Sequence, residues 1–154
     1  MQLAQAMVVC GIGFATLLGC SRGSGLATYP VTGEVTMDGE VVEGATVTLV
    51  PSSEAGRSAS GITDAEGKFS VMTYVSPGVQ PEGAMPGDYS VTIRKLEVRK
   101  VEEGGTPQEA QAAFRKLGPP KDLLPKKYAS PNTSDLKVTV NDGPTAAMSL
   151  KLTR

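Results

Sequence analysis

Two places in this 154-residue chain carry side chains whose type and spacing could do chemistry: the run Thr63-Asp64-Ala65-Glu66-Gly67, and the cysteines Cys10 and Cys20. Alternating acidic oxygens ahead of a glycine resemble the opening of a calcium loop. Such a loop needs a further oxygen position and closes on a bidentate glutamate, and the residues from Phe69 onward supply none. The competing reading is a tight turn in which Asp64 accepts backbone N–H groups and Gly67 takes positive φ, and the turn is what we expect. Both cysteines precede the folded region, so neither can staple it to itself. The chain has no histidine, which removes the commonest general base together with the commonest zinc ligand. No glycine-rich phosphate loop follows a strand, and no carboxylate and hydroxyl pair has a recognised spacing. We therefore expect no enzymatic activity, no metal and no cofactor.

The chemistry of Cys20 is of another kind. Leu3 to Cys20 is uncharged and mostly apolar, yet too short and too rich in glycine for a comfortable membrane span. It reads as the apolar core of a signal peptide, although Met1-Gln2-Leu3 lacks the usual positive charge. Its end, Leu17-Leu18-Gly19-Cys20, resembles the bacterial lipobox, in which the cysteine thiol is acylated before the signal peptidase cuts. Residues 1–19 are then a lipoprotein signal peptide, Cys20 the lipidated first residue, and residues 20–29, in which Ser21-Arg22-Gly23-Ser24-Gly25 follows the cysteine, a flexible tether. Ser21 in place of an aspartate points to the outer membrane. Each buried methylene of an attached acyl chain contributes roughly 0.8 kcal/mol, so several chains hold a domain at a bilayer without any protein contact. A plain signal peptide or an uncleaved anchor is the alternative, and either one still exports the domain.

What must be positioned is a single domain, residues 30–154. Eighteen glycines and eleven prolines, with three phenylalanines and no tryptophan, predict short strands, many turns and an aliphatic core. A formal charge of −1 gives no broad basic field, so nucleic acid is not expected as a partner. From Val31 to Met37 apolar and polar residues alternate, with Val31, Gly33, Val35 and Met37 on one face, and Asp38-Gly39 marks a turn. Ala45, Val47 and Leu49 share a second such face, which Pro51 ends. Phe69 and Val71, then Tyr89, Val91 and Ile93, then Leu136, Val138 and Val140, and last Met148, Leu150 and Leu152 repeat the pattern.

Three of these passages carry a resemblance: Gly33-x-Val35-x-x-x-Gly39-x-x-Val42-x-Gly44-Ala45-x-Val47, then Gly61-x-Thr63-Asp64-Ala65-Glu66-Gly67-Lys68-Phe69, then Pro86-Gly87-Asp88-Tyr89-x-Val91. In this order and spacing they resemble the carboxypeptidase regulatory-like, transthyretin-like domain family, in particular its short exported bacterial lipoproteins. The resemblance implies an all-β, transthyretin-like Greek-key β-sandwich of about seven strands, with Tyr89 as an inward aromatic. It implies little about activity. The purine-catabolic hydrolase on the same fold depends on histidines and a C-terminal motif that this chain lacks.

Between the strands lie two segments of another character. Ser76 to Gly87 is full of glycine and proline and reads as a surface loop, where binding residues usually reside. Glu102 to Lys127 is too long for a hairpin. Within it Thr106-Pro107-Gln108-Glu109 supplies an N-cap, a first-turn proline and a capping-box glutamate, followed by Ala110, Ala113, Phe114 and Leu117 at helical spacing. A short helix from Pro107 to Leu117 is expected, resting Phe114 and Leu117 on the sheets; the rival is an excursion that folds only on a partner. Candidate contact residues are Pro77, Gln80, Glu82, Phe114, Lys126 and Lys127. The leading expectation is a non-catalytic, lipid-anchored envelope module that is structural or binds another protein, and the alternative is a carbohydrate-binding module.

Overall fold

The structure, a computed structural model, describes residues 25–98, 106, 108, 111, 115–143 and 145–154. The chain forms strands β1 (Thr32–Met37), β2 (Glu40–Val41), β3 (Thr46–Pro51), β4 (Ala59–Ile62), β5 (Lys68–Ser70), β6 (Met72–Thr73), β7 (Gly87–Arg94), β8 (Lys137–Val140) and β9 (Met148–Leu152). A 3₁₀ turn, Lys126–Ala129, precedes β8. The strands make two sheets. In the first, β1 pairs with β2 and β5 antiparallel and with β9 parallel. In the second, the order is β6-β4-β3-β7-β8, antiparallel throughout.

Alternation decides which side of each strand is buried. Val31, Gly33 and Val35 are covered while Thr32 and Glu34 face water, and β3 repeats this with Val47 and Leu49. Tyr89, Val91 and Ile93 from β7, with Leu150 and Leu152 from β9, join them in one cluster built from both sheets. Asp38 (φ 52°) and Gly39 (φ 92°) form the two-residue loop between β1 and β2, and positive φ at both central positions matches the natural twist of a hairpin. The short β2 is not evident in the sequence, because Glu40 and Val41 are both exposed and no alternation marks them.

The chain changes sheets at Val71. β5 belongs to the first sheet and β6 to the second, and Val71 between them is buried. Its N–H donates to Val31 O at 3.2 Å and its carbonyl accepts from Gly83 N at 2.7 Å. The alternation of Phe69 and Val71 therefore conceals a crossing, and the described residues form nine strands where about seven were expected. Where β4 and β5 approach, Gly61 has no room for a side chain: a Cβ there would sit 2.1 Å from Ser70 O.

Candidate functional site

The acidic run folds as a turn. Asp64 Oδ1 accepts from Glu66 N at 3.0 Å and Lys68 N at 2.8 Å, and Gly67 has φ 74°. Thr63 faces inward, donating to Val42 O at 2.6 Å and accepting from Ala45 N at 2.8 Å. One buried hydroxyl thus satisfies both a spare N–H and a spare C=O in the β2–β3 connection. Among the described residues no three His, Cys, Asp or Glu side chains cluster as metal ligands.

The segment from Ser76 to Gly87 is more woven into the fold than its composition suggests. Ser76 bridges Val79, Glu82 bridges Met72, and Ala84 bridges Tyr29. Gly83 and Ala84 are buried, whereas Pro77, Gln80 and Glu82 are exposed as expected. This weave has a physical cause: the two-residue β6 and Val71 before it leave backbone groups unpaired, and the loop satisfies them through Thr73 N to Pro81 O (2.9 Å) and Gly83 N to Val71 O.

Gln80 also lines a groove of about 1020 Å³, whose other walls come from β1, β3, β4, β5, β6 and β9. Its polar rim includes Thr32, Glu34, Lys68, Ser70 and Ser149. Glu34 Oε1 accepts from Ser149 Oγ at 3.1 Å, and Glu82 Oε1 from Ser70 Oγ at 3.4 Å. Its apolar part includes Ile62 and Met72, which are 68% and 48% exposed. Register puts Met72 opposite Ser60, and Ser60 lies two residues from Ile62 on the same face of β4, so the two apolar side chains share one face of the second sheet. The sequence signal for this pair is weak: each is a single apolar residue on the polar side of an alternating strand.

Two further candidates, Lys126 and Lys127, lie in the 3₁₀ turn and not at the groove. Lys127 Nζ stands 4.8 Å from the centre of the Tyr128 ring and donates to Thr153 Oγ1 at 3.2 Å. Tyr128 is buried, and its hydroxyl accepts from Thr153 N at 3.0 Å while donating to Thr153 O at 3.3 Å. Burial pushes the phenol up, but its hydrogen bonds with Thr153 and Lys127 and the nearby ammonium charge outweigh that and leave it below its ordinary value.

Cys20, Pro107 and Phe114 lie outside the described residues. Gln108, Gln111 and residues 115–117 are helical, in agreement with the expected helix, although Leu117, expected to rest on the sheets, is 46% exposed. The excursion is zipped at its base. Glu97 N donates to Lys121 O at 2.9 Å and Leu123 N to Lys95 O at 2.7 Å. Asp122 takes Arg94 Nε at 3.0 Å and the amides of Lys95 and Leu124 at 3.2 and 3.3 Å. The chain returns to the strand end it left.

No protein-family model matches this chain, and neither does any curated protein or solved structure.

Proposed function

We propose that this protein is a non-catalytic lipoprotein of the bacterial cell envelope, a transthyretin-like β-sandwich tethered through lipid on Cys20, that binds another envelope protein through the groove. The observation that carries the binding part is the pair Ile62 and Met72, whose exposed apolar side chains flank a groove with a polar rim. A large apolar group left in water on the outward face of a strand forgoes roughly 1.5–3 kcal/mol of burial, and a contiguous apolar patch rimmed by polar residues is the usual mark of a contact surface. The transthyretin-like reading draws support from the two β-sheets around one core and from Tyr89, the inward aromatic that the resemblance implies, buried with its hydroxyl donating to Met85 O at 2.9 Å. The lipid anchor rests on the Leu17-Leu18-Gly19-Cys20 motif alone.

Labelled palmitate fed to cells tests the anchor: incorporation should vanish in Cys20→Ala, and unchanged labelling would overturn it. Retention on isolated cell-wall polysaccharide tests the kind of partner. The protein should pass through unretained, and saturable retention lost in Gln80→Ala would replace the protein-binding reading with a glycan-binding one.

A further inference from the structure

The parallel ladder determines which backbone groups of β9 are spare. Asp38 N donates to Leu152 O at 3.0 Å, next to the register pair Met37 and Leu152. Inward and outward residues alternate along such a strand. Met148, Leu150 and Leu152 therefore turn their N–H and C=O groups toward β1, and Ser149, Lys151 and Thr153 turn theirs away. Thr153 follows this rule, since both of its outward groups bond the Tyr128 hydroxyl. The outward groups of Ser149 and Lys151 have no partner among the described residues.

The side chains around this edge carry an unbalanced charge. Arg154 is matched by Asp38 at 3.5 Å, and Glu34, which accepts from the Ser149 hydroxyl, leaves one negative charge against the lysines that follow. Lys151 on the outward face of β9 and Lys127, whose ammonium lies beside Thr153 Oγ1 at the end of the strand, have no carboxylate partner among the described residues. The inner face of the same strand is apolar, with Leu150 and Leu152 buried and Met148 packed against the core. An incoming strand would then meet apolar side chains on one face and ammonium groups on the other.

We infer that the open edge of β9 accepts an extended segment of a partner protein that alternates acidic and apolar residues, adding to the first sheet as a further strand. This rests on the protein-binding reading above and names the chemistry of the partner; the edge adjoins the groove, which Ala147, Met148 and Ser149 also line. Backbone pairing supplies affinity in such strand addition and the alternating side chains supply selectivity. Tyr128 sets the limit of the site, because its hydroxyl already occupies the edge at Thr153. The edge of β8 differs in charge: Thr139 donates to the Asp88 carboxylate at 2.6 Å, which sets an anion beside Lys137 on that strand.

The test is amide hydrogen exchange on the full chain in detergent, with the blocked peptide Glu-Val-Glu-Val-Glu-Val-Glu as probe and its Lys-Val counterpart as control. The acidic peptide should slow exchange at Ser149 and Lys151 by about tenfold or more, as expected when a free edge becomes paired, and the basic one should not. Ser149→Pro removes an outward N–H, at a position where an edge strand tolerates proline, and Ser149→Ala controls for the hydroxyl that donates to Glu34. Ser149→Pro should abolish the effect while Leu150 and Leu152 stay protected. Lys127→Glu with Lys151→Glu should weaken binding about tenfold, since desolvated charge pairs at an interface contribute on that scale. Unchanged exchange at millimolar peptide, protection at Lys137 and Thr139 instead, or protection that grows with protein concentration without peptide would each overturn the inference. No peptide protection at the edge, together with a discrete protein adduct from a photocrosslinking amino acid at Met72 in the groove, would overturn this inference alone and leave the function standing.

Discussion

The Tyr128 hydroxyl closes the edge of β9 at Thr153, accepting the residue's N–H at 3.0 Å and donating to its carbonyl at 3.3 Å. One side chain from the 3₁₀ turn thereby satisfies a donor and an acceptor that a neighbouring strand would otherwise take. Tyr128→Phe keeps the ring in the core and leaves both groups to water. We expect a loss of about 1 kcal/mol, read as a lower urea midpoint with unchanged slope, together with faster amide exchange at Thr153.

Thr63 is a stricter case because its partners are buried. Replacing it with valine preserves the shape and leaves the Ala45 N–H and the Val42 carbonyl without their hydroxyl. Abandoning a buried polar group costs about 1–3 kcal/mol, so Thr63→Val should be clearly less stable than Thr46→Val, whose side chain faces solvent. Equal urea midpoints for the two variants would contradict the assigned role.

Alkaline stability follows from Tyr89. Burial raises its phenol above the ordinary value, so as pH climbs past about 10 the unfolded chain gives up this proton before the folded one does. The unfolded state then holds fewer protons, and stability falls with rising pH in that window while remaining intact below it. Tyr128 has the opposite sign, since its lowered value makes its contribution grow as pH rises toward the ordinary range. Urea unfolding followed across that range should show a shallower alkaline decline in Tyr89→Phe than in the unaltered protein.

Much of the architecture was legible because burial leaves a period of two in the sequence: the faces led by Val31, Ala45, Tyr89 and Met148 are the buried faces of the structure. The Asp64 turn was legible because its chemistry is local, set by a side chain and amides within four residues. Other features depend on what lies across space. Val71 reads as one more inward residue, and only the pairing of its neighbours makes it a crossing between sheets. Lys127 reads as a solvated charge anywhere on the surface, yet Tyr128 and Thr153 fix its ammonium at the end of β9. Of the contact residues expected from loop composition, Gln80 reaches the groove, while Ile62 and Met72, its exposed apolar residues, lie on strands where periodicity directs attention to the other face.

The groove is tested most directly by placing a photocrosslinking amino acid at Met72 in the full chain and irradiating intact cell envelopes. One discrete protein adduct should form, disappear in Ile62→Glu, and be missing when the crosslinker stands at exposed Glu43, which does not line the groove. Adducts of equal yield at Met72 and Glu43, or an adduct at Met72 that survives Ile62→Glu, would contradict the account.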